Sequence, residues 1–135
     1  MSDVPKVLIA DDEQPCIDLV REALTDVDCE VIAAMDGEAA LQLAREQKPQ
    51  VVILDIQMPR LNGFEVFDEL KADDDLAKLQ VIMLTAVTER TGLKFSAEDM
   101  GQYSGSEPEA YIDKPVEPIV LRQAVVRLLK NASQA

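Results

Sequence analysis

The chain has 135 residues, 47% of them hydrophobic and 29% charged, and a net charge of −13. That length suits one packed domain, and the acidic excess argues against a nucleic-acid ligand, whose phosphates would need neutralising by Lys and Arg. The absence of histidine excludes Ser-His-Asp and Cys-His catalysis, imidazole-ligated metals and any role as a phosphohistidine donor.

In chain order, residues 6–10 (KVLIA) read as a first strand, running into Asp11 and Asp12. A helix is expected from near Asp12, the candidate N-cap, with Pro15 in the first turn and Ile17, Leu19, Val20, Ala23 and Leu24 on its apolar face. Residues 29–34 (CEVIAA) read as a second strand, and Asp36 as the cap of a helix whose Ala39, Ala40, Leu43 and Ala44 face the sheet. A third strand at 50–54 runs into Asp55, followed by a loop to Asn62 that contains Met58 and Pro59. Gly63 opens a helix with Phe64, Phe67 and Leu70 on one side, and Asp73–Asp75 reads as a solvated connector.

A fourth strand at 80–84 ends in Thr85, and a short fifth at 110–112 leads to Lys114 and Pro115. Between them, residues 87–109 are expected to be a long loop holding a short or irregular helix. Pro118 suits the first turn of a last helix running to about Asn131, with a short tail at 131–135. Its Ile119, Val120, Leu121, Ala124, Val125, Val126, Leu128 and Leu129 cover more arc than one sheet contact needs. The surplus is either a partner or homodimer face or is covered by the 87–109 loop. Cys16 and Cys29 have no motif spacing and are read as two buried thiols rather than a disulfide.

Short Val- and Ile-rich runs alternating with helical patterns mean an α/β fold with a doubly wound parallel sheet. Ligands of such sheets bind outside the carboxyl ends of the strands. Asp11, Asp12, Asp55, Thr85 and Lys114 all fall there, so three carboxylates, a hydroxyl and an ammonium converge on one edge. Crowded carboxylates attract a hard cation, Mg²⁺ above others, and an ion there together with Lys114 and Thr85 would suit a phosphoryl group. Taken singly, each has a plainer reading: a helix cap, a surface acid, a solvated lysine, a strand-end hydroxyl.

As an ordered set, Asp11-Asp12, Asp55 with Met58-Pro59, Thr85-Ala86 and Lys114-Pro115 resemble bacterial response-regulator receiver domains, over residues 6 to about 129. The resemblance implies a flavodoxin-like five-stranded sheet of order 2-1-3-4-5. It implies Asp55 as phosphoacceptor, served by a sensor histidine kinase or a histidine phosphotransfer protein. It also implies Mg²⁺ held by Asp12, Asp55 and the backbone carbonyl of Gln57, with Asp11 acting through water. Thr85 and Lys114 would contact the phosphoryl group, and Tyr111 matches the family's switch aromatic.

The interval from Thr85 to Lys114 is longer than the family's, and its Ala-Gly-Ala turn is missing. Val87 and Gln57 flank the phosphoryl position by analogy. An apolar Val87 cannot orient a water, so moderate to slow self-dephosphorylation is expected. The expected protein is a single receiver domain, residues 1–135, acting through protein contacts or a phosphorelay rather than through an output domain. Without an apolar stretch of about 20 residues or a secretory signal it is expected in the cytoplasm. Two alternatives stand beside it. One is a phosphorylation-independent adaptor. The other is a phosphatase with Asp55 as nucleophile, against which Gln57 stands where such enzymes carry a second aspartate.

Overall fold

Val7 to Ala10 and Val51 to Leu54 expose no surface at all, which requires that both faces of these strands be covered. In this computed structural model, which describes residues 4–56, 62–76, 78–86, 109–114 and 116–133, they are the central strands of a five-stranded parallel sheet. The elements are β1 (Lys6–Ala10), α1 (Gln14–Ala23), β2 (Glu30–Ala34), α2 (Gly37–Gln47), β3 (Val51–Asp55), α3 (Gly63–Ala72), β4 (Gln80–Ala86), β5 (Ala110–Lys114) and α4 (Pro118–Ser133). The strand order is β2-β1-β3-β4-β5, as the resemblance implies.

Side chains alternate along each strand, so each strand feeds two cores. Leu8, Ala10, Val52, Leu54, Val81 and Met83 pack with α2 and α3 around Phe67 and Leu70. Val7, Ile9, Val51, Ile53, Ile82, Leu84 and Ile112 pack with α1 and α4 around Ile17, Val20, Leu121 and Val125. Helices lie on both faces, and Asp11, Asp55, Thr85 and Lys114 stand at or just beyond the carboxyl ends of the strands.

The strand ends differ from expectation by a residue or two: β3 includes Asp55, β4 reaches Ala86 and β5 reaches Lys114. Helix α4 continues to Ser133, so most of the expected tail is helical. Helix α1 is capped by Glu13, not Asp12, and has no side-chain cap bond. Asp36 does cap α2, accepting the Ala39 N–H at 2.8 Å. That helix buries Leu41 with Ala40 and Ala44, while Ala39 and Leu43 are only partly covered. Both cysteines are free and half-buried rather than buried. On α4, Ile119 and Val120 are exposed, whereas Leu121, Val125, Leu128 and Leu129 are buried. The expectations for Gln57, Met58, Pro59, Val87, Pro115 and the 87–108 segment lie outside the described residues.

Candidate functional site

Strand pairing brings the site together. Asp11 follows β1, and its N–H donates to the Ala34 carbonyl at 3.0 Å, extending the ladder by one rung. Asp55 closes β3 and Lys114 closes β5. Asp11, Asp55 and Lys114 each stand two residues beyond a side chain of the α1/α4 core (Ile9, Ile53 and Ile112), so all three point to that face.

There the Lys114 ammonium reaches both acids, lying 3.1 Å from Asp11 Oδ2 and 3.2 Å from Asp55 Oδ1. Asp11 is fully buried and Asp55 is 4% exposed. Two carboxylates removed from water would repel one another, and the ammonium between them offsets that repulsion. Burial alone would lower the Lys114 pKa, but the fields of Asp55 and Asp11 outweigh it and hold the ammonium well above the usual lysine range. Lys114 is therefore fixed as a cation.

Asp12 is exposed, and one oxygen from each of Asp11, Asp12 and Asp55 lies within 4.8 Å of the others. An oxygen-only donor set of that span, on a chain without histidine, fits a small hard cation such as Mg²⁺ and not a soft metal. Asp11 Oδ1 also accepts the Glu13 N–H at 2.9 Å, which explains the cap of α1. With Asp11 tying down the turn, Asp12 is left at the site rather than on the helix.

Thr85 faces the other way. It pairs in register with Asp113, two residues beyond the Met83–Tyr111 pair, and Met83 and Tyr111 belong to the α2/α3 core. Thr85 is 1% exposed, and its hydroxyl donates to Asp113 Oδ1 at 3.3 Å. Tyr111 is half-buried, with its hydroxyl oxygen out of contact with solvent. The expected switch pair thus shares one face of the β4–β5 ladder, while the acids and Lys114 occupy the other.

Sequence reasoning missed three neighbours. Glu13 Oε1 lies 3.6 Å from Lys114 Nζ, and the acidic run 11–13 was the available signal. Cys16, read as packing only, shares a hydrogen bond with Asp11. Burial, that bond and the Asp11 charge push its thiol up to about 12. Asp113 sits beside the lysine in sequence, but its role depends on strand register.

Residues 7–126 match the family described as "Response regulator receiver domain". The chain is 37% identical over 114 residues to the polar-differentiation response regulator DivK of Brucella anthropi, covering 84% of this chain and 87% of that one. It is 35% identical over 131 residues to the Guillardia theta protein named "Probable transcriptional regulator ycf27", covering 96% of this chain and 47% of the relative. The chain spans about half the length of that relative and of several others it matches. Among solved structures it resembles the chemotaxis response regulator CheY4 of Vibrio cholerae, with a TM-score of 0.78 and 28% identity, covering 93% of this chain and 98% of that one. No helix among the described residues is long and apolar enough to cross a membrane.

Proposed function

This chain belongs to the response regulator receiver domain family, and from that premise we propose that it is a phosphorylation-controlled signalling switch with Asp55 as phosphoacceptor. The observation that carries the reading is the Lys114 ammonium set between the buried carboxylates of Asp11 and Asp55, beside the exposed Asp12.

The chemistry asked of the chain is modest. A carboxylate oxygen of Asp55 attacks the phosphorus of a phosphohistidine on a sensor kinase or histidine phosphotransfer protein. The O–P bond forms, the N–P bond breaks, and its electron pair returns to the imidazole. The product is an acyl phosphate on Asp55. Such transfers need positioning and charge neutralisation more than covalent participation by other groups.

Lys114 already stands 3.2 Å from Asp55 Oδ1, where it can neutralise an incoming phosphoryl oxygen. Asp11 and Asp12 would hold Mg²⁺ together with Asp55, and the backbone carbonyl of Gln57 would complete the protein's share of ligands. When bound, Mg²⁺ supplies further positive charge against the phosphoryl oxygens. Thr85 would donate its hydroxyl to the phosphoryl group, and Tyr111 would follow its movement. The two conformers are then populated according to whether Asp55 is modified.

We assign the whole of 1–135 to this one receiver unit. Its partners are a histidine kinase or phosphotransfer protein upstream and a protein target downstream, in the cytoplasm. Incubation with Mg²⁺ and acetyl phosphate tests the reading. The intact mass should rise by one phosphoryl group in wild type and not in Asp55→Asn, and an unmodified wild type would overturn it.

A further inference from the structure

Asp113 lies directly across the β4–β5 ladder from Thr85 and accepts its hydroxyl proton at 3.3 Å. A threonine hydroxyl carries one proton, so it cannot donate to Asp113 and to a phosphoryl oxygen on Asp55 at once. The two acceptors also lie toward different faces. Asp113 stands two residues beyond Tyr111 on the α2/α3 side, whereas Asp55 stands two beyond Ile53 on the α1/α4 side.

We propose that Asp113 is a positioning residue that latches Thr85 in the resting state, so that its carboxylate competes with the phosphoryl group for the hydroxyl and sets the threshold of the switch. The inference rests on Asp55 being the phosphoacceptor. The latch is gentle, because 3.3 Å is long for an O–H···O bond and Asp113 is exposed. Thr85 is buried, so the hydroxyl must find an acceptor in each conformer, and the exchange is between two hydrogen bonds rather than between bond and water. Thr85 and Tyr111 lie toward the same face of the β4–β5 ladder, so the latch stands beside the aromatic.

The test uses the whole chain with Mg²⁺ and beryllofluoride as phosphoryl probe, in wild type, Asp113→Ala, Asp113→Asn, Thr85→Val and the double variant Asp113→Ala/Thr85→Val. The Thr85 χ1 rotamer is followed by NMR couplings without probe or metal. Asp113→Ala should release the rotamer and tighten beryllofluoride binding by between about twofold and tenfold, the span of one net hydrogen bond. Asp113→Asn keeps an acceptor oxygen and should restore most of the wild-type behaviour. In the Thr85→Val background, Asp113→Ala should change nothing.

A purely coulombic effect of removing a negative charge would be reproduced by Asp113→Asn and would survive in Thr85→Val. Either result overturns the latch, as does an Asp113→Ala variant with unchanged rotamer and affinity. Wild type that takes up no beryllofluoride overturns the Asp55 reading and the latch with it, whereas normal uptake with an inert Asp113→Ala overturns the latch alone.

Discussion

Gly63 packs directly against Asp55: a Cβ at position 63 would stand 2.6 Å from the Asp55 carbonyl oxygen and 3.0 Å from Ile56 Cα. The Gly63 N–H also donates to the Ile56 carbonyl at 2.8 Å. The start of α3 is thereby clamped onto the strand end that carries the candidate phosphoacceptor. The Asp55 and Ile56 neighbours are backbone and cannot swing aside, unlike the third, the Met83 side chain, whose Cε would stand at 3.0 Å. Gly63→Ala should lower stability by about 1–3 kcal/mol, since overpacking outweighs the fraction of a kcal/mol that alanine gains by helix propensity. It should also slow modification of Asp55. Urea unfolding and acetyl phosphate labelling measure the two effects, and an alanine variant as stable as wild type would contradict the clamp.

The same helix start carries a reciprocal cap. Asn62 Oδ1 accepts the Glu65 N–H at 2.9 Å, and Glu65 Oε1 accepts the Asn62 N–H at 3.0 Å. Asn62→Ala removes one bond and orphans its partner, at a cost of about 1 kcal/mol. Asn62→Asp keeps the acceptor and places negative charge at the helix N-terminus, so it should recover most of that loss. Chemical denaturation of the pair of variants checks the order.

Cys16 makes the fold sensitive to alkali. Burial first, then the Asp11 hydrogen bond and charge, push its thiol from 9.0 to about 12. Between those values the unfolded chain loses a proton that the folded chain keeps, so stability falls as pH rises through that window. Cys16→Ala should flatten the decline, by about 1 kcal/mol at the upper end once screening of a half-buried group is allowed for. Lys114 acts in the same direction at higher pH: its contribution is whole below 10.5 and fades only above the ordinary lysine range. Unfolding midpoints at pH 8 and above pH 10 for wild type and Cys16→Ala measure the difference.

Much of the architecture was legible because the central strands bury both faces and so appear as unbroken apolar runs, as in Val51–Leu54. The gathering of Asp11, Asp12, Asp55 and Lys114 was legible because each follows such a run, at the end where a parallel sheet collects side chains. Thr85 ends a run too but turns its hydroxyl to Asp113 on the other face. What escaped depended on geometry without local pattern. The cap of α1 moved to Glu13 because Asp11 takes the Glu13 N–H, a contact invisible to propensity. Cys16 reads as an ordinary helix residue until α1 is laid beside Asp11. Asp113 meets Thr85 only through the β4–β5 register, and Gly63 is demanded by the close approach of α3 to Asp55.

Lys114 and a cation bound by the three acids would draw on two of the same carboxylates, Asp11 and Asp55. The ammonium lies 3.1 Å from Asp11 Oδ2 and 3.2 Å from Asp55 Oδ1, two of the three carboxylates that span the candidate metal position. In Lys114→Met the two buried acids face each other without a positive charge. Breaking a buried pair costs about 3–5 kcal/mol, and the 21% exposure of the Lys114 side chain reduces that here to about 1–3 kcal/mol. The same change removes the competitor, so Mg²⁺ should bind more tightly to the variant and restore more of its stability than it adds to wild type, as linkage requires of a ligand selective for the folded state. Phosphoryl acceptance should nonetheless be slower, because the charge that Lys114 offers the incoming oxygens is gone. Thermal unfolding across a Mg²⁺ titration, paired with acetyl phosphate labelling, separates the effects. Equal Mg²⁺ stabilisation of both proteins would show that the ammonium and the metal do not share Asp11 and Asp55.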